Sequence, residues 1–215
     1  NSRNTLKYGF QVINHTITPS SVDASDASDL VDNKAAQKRY GLESSAFISH
    51  EWQATKRLNL IYGIRVSDFA VLGAGDFYTY DGEGKILTST TYGKGALVKN
   101  YIVPEPRLTA SYRLTERSSL KAGYTRNSQY LHLLSNSTAS NPTDLWLPTT
   151  NNVKAEIADQ VSLGWFRNFG TRSVFEFSAE TYYKSMLNQI DYRNGAEIQG
   201  NDNPEADLLF GSGRA

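Results

Sequence analysis

The chain has 215 residues, with 22 Lys and Arg against 22 Asp and Glu, so no overall field draws it to nucleic acid or an anionic surface. It has no cysteine, which excludes a disulfide framework and thiolate metal sites. No window reaches the roughly 18 to 20 consecutive apolar residues of a membrane helix, but a membrane β-barrel turns only alternate residues to lipid and is not excluded.

Asn1-Ser2-Arg3 does not open like a start codon or a signal peptide, and the chain is expected to be a piece of something longer. Thr5–Ile17 alternates, with Leu6, Tyr8, Phe10 and Val12 opposite Thr5, Lys7, Gly9 and Gln11, the pattern of a strand with two unlike faces. Pro19 stops it. In Ser20–Lys34, Asp23, Asp26, Asp29 and Asp32 recur every third residue, which is not the ligand spacing of a calcium loop and reads as a solvated acidic loop, with a surface cation site as the alternative.

Arg39–Thr55 and Leu58–Leu72 form the clearest hairpin. Tyr40, Leu42, Ala46, Ile48, Trp52 and Ala54 share one face of the first segment; Arg39, Glu43, Ser45, Ser49, Glu51 and Gln53 share the other. In the second, Leu58, Leu60, Tyr62, Ile64 and Val66 oppose Asn59, Gly63, Arg65 and Ser67, with Ile61 the apolar exception. Both runs far exceed the usual 5 or 6 residues of a soluble strand and suit a barrel wall. Asp76–Asn100 is a long connection whose Asp81-Gly82 step, between strand-forming residues, signals a hairpin. Its glycines are no phosphate cradle, since no strand-to-helix step accompanies them.

Tyr101–Leu114 and Ser118–Asn127 alternate again: Ile102, Leu108, Ala110 and Tyr112 oppose Glu105, Arg107, Thr109, Ser111 and Arg113, and Leu120, Ala122 and Tyr124 oppose Lys121, Gly123 and Thr125. Ser128–Ala155 is a third long connection. Glu156–Phe169 and Arg172–Leu187 follow around a Gly170-Thr171 turn, with Phe175, Phe177, Ala179, Thr181 and Tyr183 on one face of the latter. Asn194-Gly195 is a primed-turn signal, and Leu208–Ala215 begins a further strand.

Short connections (55–57, 115–117, 170–171) therefore alternate with long ones (19–38, 73–100, 128–155, 188–207). Antiparallel neighbours reverse direction, so all short turns gather at one end and all long loops at the other, as in outer-membrane barrels. The charges Glu43, Glu51, Arg65, Arg107, Arg113, Lys121, Glu176, Glu180 and Lys184 must then face a polar interior, because each would cost up to about 2–4 kcal/mol against mid-depth lipid. About seven to eight strands with so many long polar side chains would overfill a small lumen, so they read as an arc of a wider barrel. The fold class is all-β, antiparallel and up-and-down, part of a large transmembrane β-barrel. A charge at Leu60 or Leu163 should be poorly tolerated and one at Ser67 should be mild.

The runs Pro106-Arg107-Leu108-Thr109-Ala110-Ser111-Tyr112-Arg113-Leu114 and Leu120-Lys121-Ala122-Gly123-Tyr124-Thr125-Arg126-Asn127 resemble TonB-dependent outer-membrane receptors, particularly those of Bacteroidota. So do Gln129–Ser135, Pro142-Thr143-Asp144-Leu145-Trp146, Glu180-Thr181-Tyr182-Tyr183-Lys184 and Asn188-Gln189-Ile190-Asp191-Tyr192. The resemblance spans most of the chain and implies the later part of a 22-stranded barrel around a plug. It also implies import of a scarce or bulky nutrient with energy transmitted through TonB, in the cell outer membrane. The partners so implied are outer-membrane lipid, the remainder of the barrel with its plug, TonB acting through the plug segment, and a nutrient left open among iron chelates, cobalamin, glycans and peptides. No nucleic acid and no cofactor is expected. Residues 1–215 would be one partial barrel domain without plug, roughly a third of the barrel.

For ligand contact the candidates are the loop aromatics Tyr78, Tyr80, Tyr92, Tyr130 and Trp146. Trp52, Tyr112, Trp165 and Phe175, towards the short-turn ends, are expected in the periplasmic aromatic girdle. His15, His50 and His132 lie on separate segments without a carboxylate companion, so no metal motif is expected. Glu176 and Glu180 are about 13 Å apart along a strand, beyond the roughly 9.5 Å limit of a glycosidase pair. With no Gly-x-Ser-x-Gly elbow either, an enzyme is not expected. The alternative is a soluble β-sheet ligand-binding module, carbohydrate-binding-like, that uses the long loops.

Overall fold

The structure, a computed structural model, describes residues 4–18, 37–134, 145–170, 175–193 and 204–214. In chain order the strands are β1 (Asn4–Ile17), β2 (Arg39–Gln53), β3 (Leu58–Leu72), β4 (Gly75–Tyr80), β5 (Ile86–Tyr92), β6 (Leu97–Thr115), β7 (Ser118–Gln129), β8 (Leu131–Leu134), β9 (Leu145–Pro148), β10 (Glu156–Phe169), β11 (Phe175–Tyr192) and β12 (Leu208–Arg214). A 3-10 turn, Pro204–Asp207, precedes β12. Eight of the strands form one sheet in the order β1-β2-β3-β6-β7-β10-β11-β12; β4–β5 and β8–β9 stand apart as hairpins. The acidic run at 20–34 and the Asn194-Gly195 turn lie outside the described residues.

Every ladder of the main sheet is antiparallel, and the register keeps the two faces apart. Across β2–β3–β6, Ala46 pairs with Val66, Ile48 with Ile64 and Pro106, and Trp52 with Leu60 and Ala110. One position along, Ser45 pairs with Ser67, Phe47 with Arg65 and Glu105, and Ser49 with Gly63 and Arg107. A side-chain period of two carries that separation along each strand.

The register also sets the tilt. Gln53 and Asn59 close β2–β3, and their row continues through Ser111 and Lys121 to Gly164 and Glu180, from which β10–β11 runs five residues further to Phe169 and Phe175. Five residues of stagger over four strand spacings correspond to a tilt of about 40°, within the range of transmembrane barrels. Each residue then climbs about 2.5 Å.

β6 begins earlier than the alternation suggested, at Leu97, and β11 runs on to Tyr192. At Lys99-Asn100 both faces are polar, so the strand carries no alternating signal although Val71 and Ala70 pair with it. The β4–β5 hairpin is where Asp81-Gly82 placed it, but its loop is wider than a two-residue turn. Asp81 N–H donates to the Lys85 carbonyl (3.0 Å), the Asp81 carboxylate accepts from the Glu83 and Lys85 amides (2.9 and 2.8 Å), and Gly84 takes the positive φ of 86°. Hairpin β8–β9 had no sequence signal.

The apolar core is small and lies on the polar side of the sheet at its long-loop end. Phe69, Val71, Phe77, Val103, Tyr130 and Ala155 form it; Leu147, Val153 and Leu208 make a second cluster. Phe69 stacks on Tyr130 at 5.0 Å and 11°, and a Cβ on Gly41 would sit 2.5 Å from the Phe69 ring. The opposite face stays bare: Tyr8, Phe10, Ile102, Val161, Leu163 and Phe175 are more than half exposed. The accessible surface of 14446 Å² compares with roughly 9,900 Å² for a compact soluble monomer of this mass. A soluble sheet with that face bare would be an aggregation hazard.

Candidate ligand-binding rim and inner wall

Four segments meet at the long-loop end. Arg39, the first residue of β2, places its guanidinium 4.5 Å over the Phe77 ring, donates to the Asp76 carbonyl (3.0 Å) and lies 3.9 Å from Glu205. Glu205, buried in the turn before β12, accepts from Asn152 Nδ2 (2.8 Å) and Thr150 Oγ1 (3.2 Å). Asn151 and Asn152 both donate to the Tyr78 carbonyl (2.7 and 2.9 Å), and Tyr101 O–H donates to the Thr150 carbonyl (2.6 Å). Asn188, at φ 61°, donates to the Ala155 carbonyl (2.9 Å). The β4–β5 hairpin, the 149–155 segment and the turn before β12 are thereby tied to one another and to β2.

Below this rim the polar wall is cross-linked. Glu43 lies 3.1 Å from His15 Nε2 and 3.9 Å from Arg65, which donates to Gln11 Oε1 (3.2 Å). Glu105, buried, accepts from Ser67 and from Ser128 Oγ (2.6 Å). His15 was expected without a carboxylate companion; the β1–β2 register supplies one 28 residues away. Among the described residues no three His, Asp or Glu converge as a metal site. His132 is buried on β8 beside Thr149 Oγ1 (3.3 Å), and burial lowers its pKa to about 4, so it is neutral at neutral pH.

The five candidate aromatics separate. Trp146 on β9 is 53% exposed and pairs across the hairpin with exposed Leu133. Tyr78 and Tyr80 lie half-buried with rings 6.4 Å apart. Tyr92 packs edge-on to Phe77 at 5.6 Å, and Tyr130 is buried in the core. Tyr78, Tyr80 and Trp146 can offer ring surface to a ligand, while Tyr92 and Tyr130 hold the rim. Arg39, Asn151, Asn152 and Glu205 had no sequence signal as a group, since Asn152 and the Tyr78 carbonyl are 74 residues apart and Arg39 and Glu205 are further apart still.

The family described as TonB dependent receptor-like, beta-barrel matches residues 1–213. The chain belongs to the TonB-dependent receptor β-barrel family. No curated protein matches its sequence. Among solved structures it is similar to the FrpB iron transporter from Neisseria meningitidis, F3-3 variant (TM-score 0.56, 15% identity, 92% of this chain and 28% of that one). It is also similar to the copper transporter OprC (TM-score 0.57, 17% identity, 89% and 29%). At these identities the likeness is one of fold, and the chain spans under a third of either protein.

As a segment of an outer-membrane TonB-dependent receptor barrel, the sheet has its polar face inward and its apolar face to lipid; the soluble-module alternative falls. At the short-turn end Trp52, Tyr112 and Phe175 are exposed on the lipid side, and Trp165 donates from its indole N–H to Ser118 Oγ (2.9 Å). At the other end the apolar face stops at charge. Arg126 on β7 holds Asp159 on β10 bidentately (2.8 and 2.9 Å), and Tyr124 O–H reaches up to the same carboxylate (2.6 Å). Asp159 lies ten residues above Phe169, and Asp68 ten above Leu58. At about 2.5 Å each that is about 25 Å, the height of the lipid-facing apolar band.

Proposed function

We propose that this chain is one part of a receptor that binds a scarce or bulky nutrient at its outer rim and imports it with energy delivered through TonB. The remainder of that receptor supplies the strands that close the barrel on β1 and β12 and a plug that fills it. The observation that carries the reading is the division of labour on one sheet: an outward apolar band, an inward polar wall, and long connections knotted into a shaped rim. Tyr78, Tyr80 and Trp146 are the ligand contacts, supplying ring faces for stacking and apolar contact. The similar FrpB and OprC proteins carry iron and copper in their names, which supports testing metal-bearing nutrients ahead of glycans and peptides. Glu176 and Glu180 face the interior as separate polar residues on one strand.

The test is uptake of labelled ferric chelates, copper complexes and cobalamin by cells carrying the complete receptor, with and without TonB. Uptake that requires TonB, and falls about tenfold in Trp146→Ala or Tyr80→Ala at unchanged surface level, is the expected outcome. Undiminished uptake without TonB overturns the transport reading. Undiminished uptake by both variants overturns the contact assignment.

A further inference from the structure

On the lipid-facing side, His50 is an ionisable group inside the apolar band on which the transport reading makes no demand. His50 sits on β2 three residues above Gln53, about 8 Å from the short-turn end. Its neighbours across the ladders are Leu6 and Tyr62. The Tyr62 ring meets it edge-on at 5.3 Å, and His50 Nδ1 and Tyr62 Oη are 2.8 Å apart. With the hydroxyl donating to Nδ1, the imidazole proton is on Nε2, for which the described residues provide no acceptor.

His50 belongs to the lining of a groove of about 580 Å³, with Asn4, Leu6, Ile48, Tyr62 and Ile64 among its other residues, a volume in the range of small-molecule sites. The groove is polar at one end and apolar along its length. Asn4 and His50 lie toward the short turns: Asn4 pairs with the girdle residue Trp52, and His50 follows two residues deeper along β2. Ile48 and Ile64 lie one row deeper. The groove is continuous with the face that the bilayer covers, so its occupant is lipid, and this polarity matches a lipid whose headgroup lies at the periplasmic interface.

We propose that this groove is a phospholipid site: a glycerophospholipid of the periplasmic leaflet places its phosphate against His50 Nε2–H and Asn4 and lays an acyl chain along Ile48 and Ile64. His50, Tyr62 and Asn4 then act together. Tyr62 fixes the tautomer, His50 donates to the phosphate, and Asn4 supplies a second donor.

The complete receptor, purified in mild detergent, is titrated with palmitoyl-oleoyl phosphatidylethanolamine and separately with the diacylglycerol of the same chains, and bound lipid is read by native mass spectrometry. The parent retains phosphatidylethanolamine and not diacylglycerol, and His50→Phe lowers retention about tenfold, the loss of one hydrogen bond to a charged group. Ile48→Trp fills the groove from its apolar side without disturbing the polar end and lowers retention likewise, which covers the case in which His50→Phe does not fold. Heat-modifiable migration on gels reports the folding of each variant. Retention by both folded variants equal to the parent, or equal retention of diacylglycerol, means annular lipid only and overturns the site.

Discussion

Leu163→Arg tests the assignment of faces most directly. Leu163 lies on β10 six residues above Phe169, between Ala122 of β7 and Thr181 of β11, and is 54% exposed. Six residues at a tilt of about 40° place it about 15 Å above the periplasmic turn, close to the middle of a band about 25 Å tall. An arginine there faces hydrocarbon with its guanidinium roughly 10 Å from either interface, too far to snorkel free of cost, and destabilises the barrel by about 2–4 kcal/mol. Thr109, six residues from Thr115 on the inward face of β6, is the matched control. Thr109→Arg reaches the wet interior, and its cost stays within about 0.5 kcal/mol. The assay is equilibrium unfolding of the complete receptor in lipid vesicles by denaturant, followed by tryptophan fluorescence. Equal costs for the two variants, or a cost below about 1 kcal/mol for Leu163→Arg, would refute the lipid assignment of this face.

Three further outcomes are expected. Ser67 is 1% exposed and donates to Glu105, so Ser67→Asp, against the sequence-based expectation of a mild effect, buries a second carboxylate beside the first and costs at least about 3 kcal/mol in the same unfolding assay; a cost under about 1 kcal/mol would count against that network. Glu205→Ala removes the acceptor of Thr150 Oγ1 and one of the two acceptors of Asn152 Nδ2, and amide hydrogen exchange at 149–153 should quicken about tenfold or more, whereas unchanged protection would show that the knot does not hold the rim. His132 has its pKa lowered from 6.5 to about 4 by burial. The unfolded segment therefore binds more protons between these values, and stability present above pH 6.5 is lost as pH falls towards 4, by up to roughly 3 kcal/mol. Exchange in β8–β9, corrected for intrinsic rates, should rise on going from pH 7 to pH 5 in the parent and not in His132→Gln.

Alternation made the walls legible. Leu58, Leu60, Tyr62, Ile64 and Val66 could serve only one face of a strand, and the inward direction of Arg65 and Arg107 followed from the cost of charge in lipid. The order of short and long connections then fixed which end is which. Phe47 and Phe166 break the alternation for a local reason: each ring lies over a glycine on the inner face, Gly9 and Gly164 respectively. Hairpin β8–β9 was hidden because Leu131–Leu134 and Leu145–Pro148 are too short for a period to show and one ends in proline. Tyr130 read as a loop aromatic free for ligand, and packing made it a core residue on Phe69.

Local chemistry, repeated every second residue, decided from the sequence alone that this is a membrane-spanning antiparallel sheet, which side meets lipid, and where its turns fall. Register and loop packing decided the rest: that His15 meets Glu43, that Ser67 is sealed beneath Glu105, that Glu205 ties three rim segments, and that Trp146 stays open while Tyr130 does not. The reason is one of range. A face is a property of neighbours two residues apart, whereas each of these contacts joins side chains whose separation along the chain carries no periodic signal and which only the folded sheet brings within 4 Å.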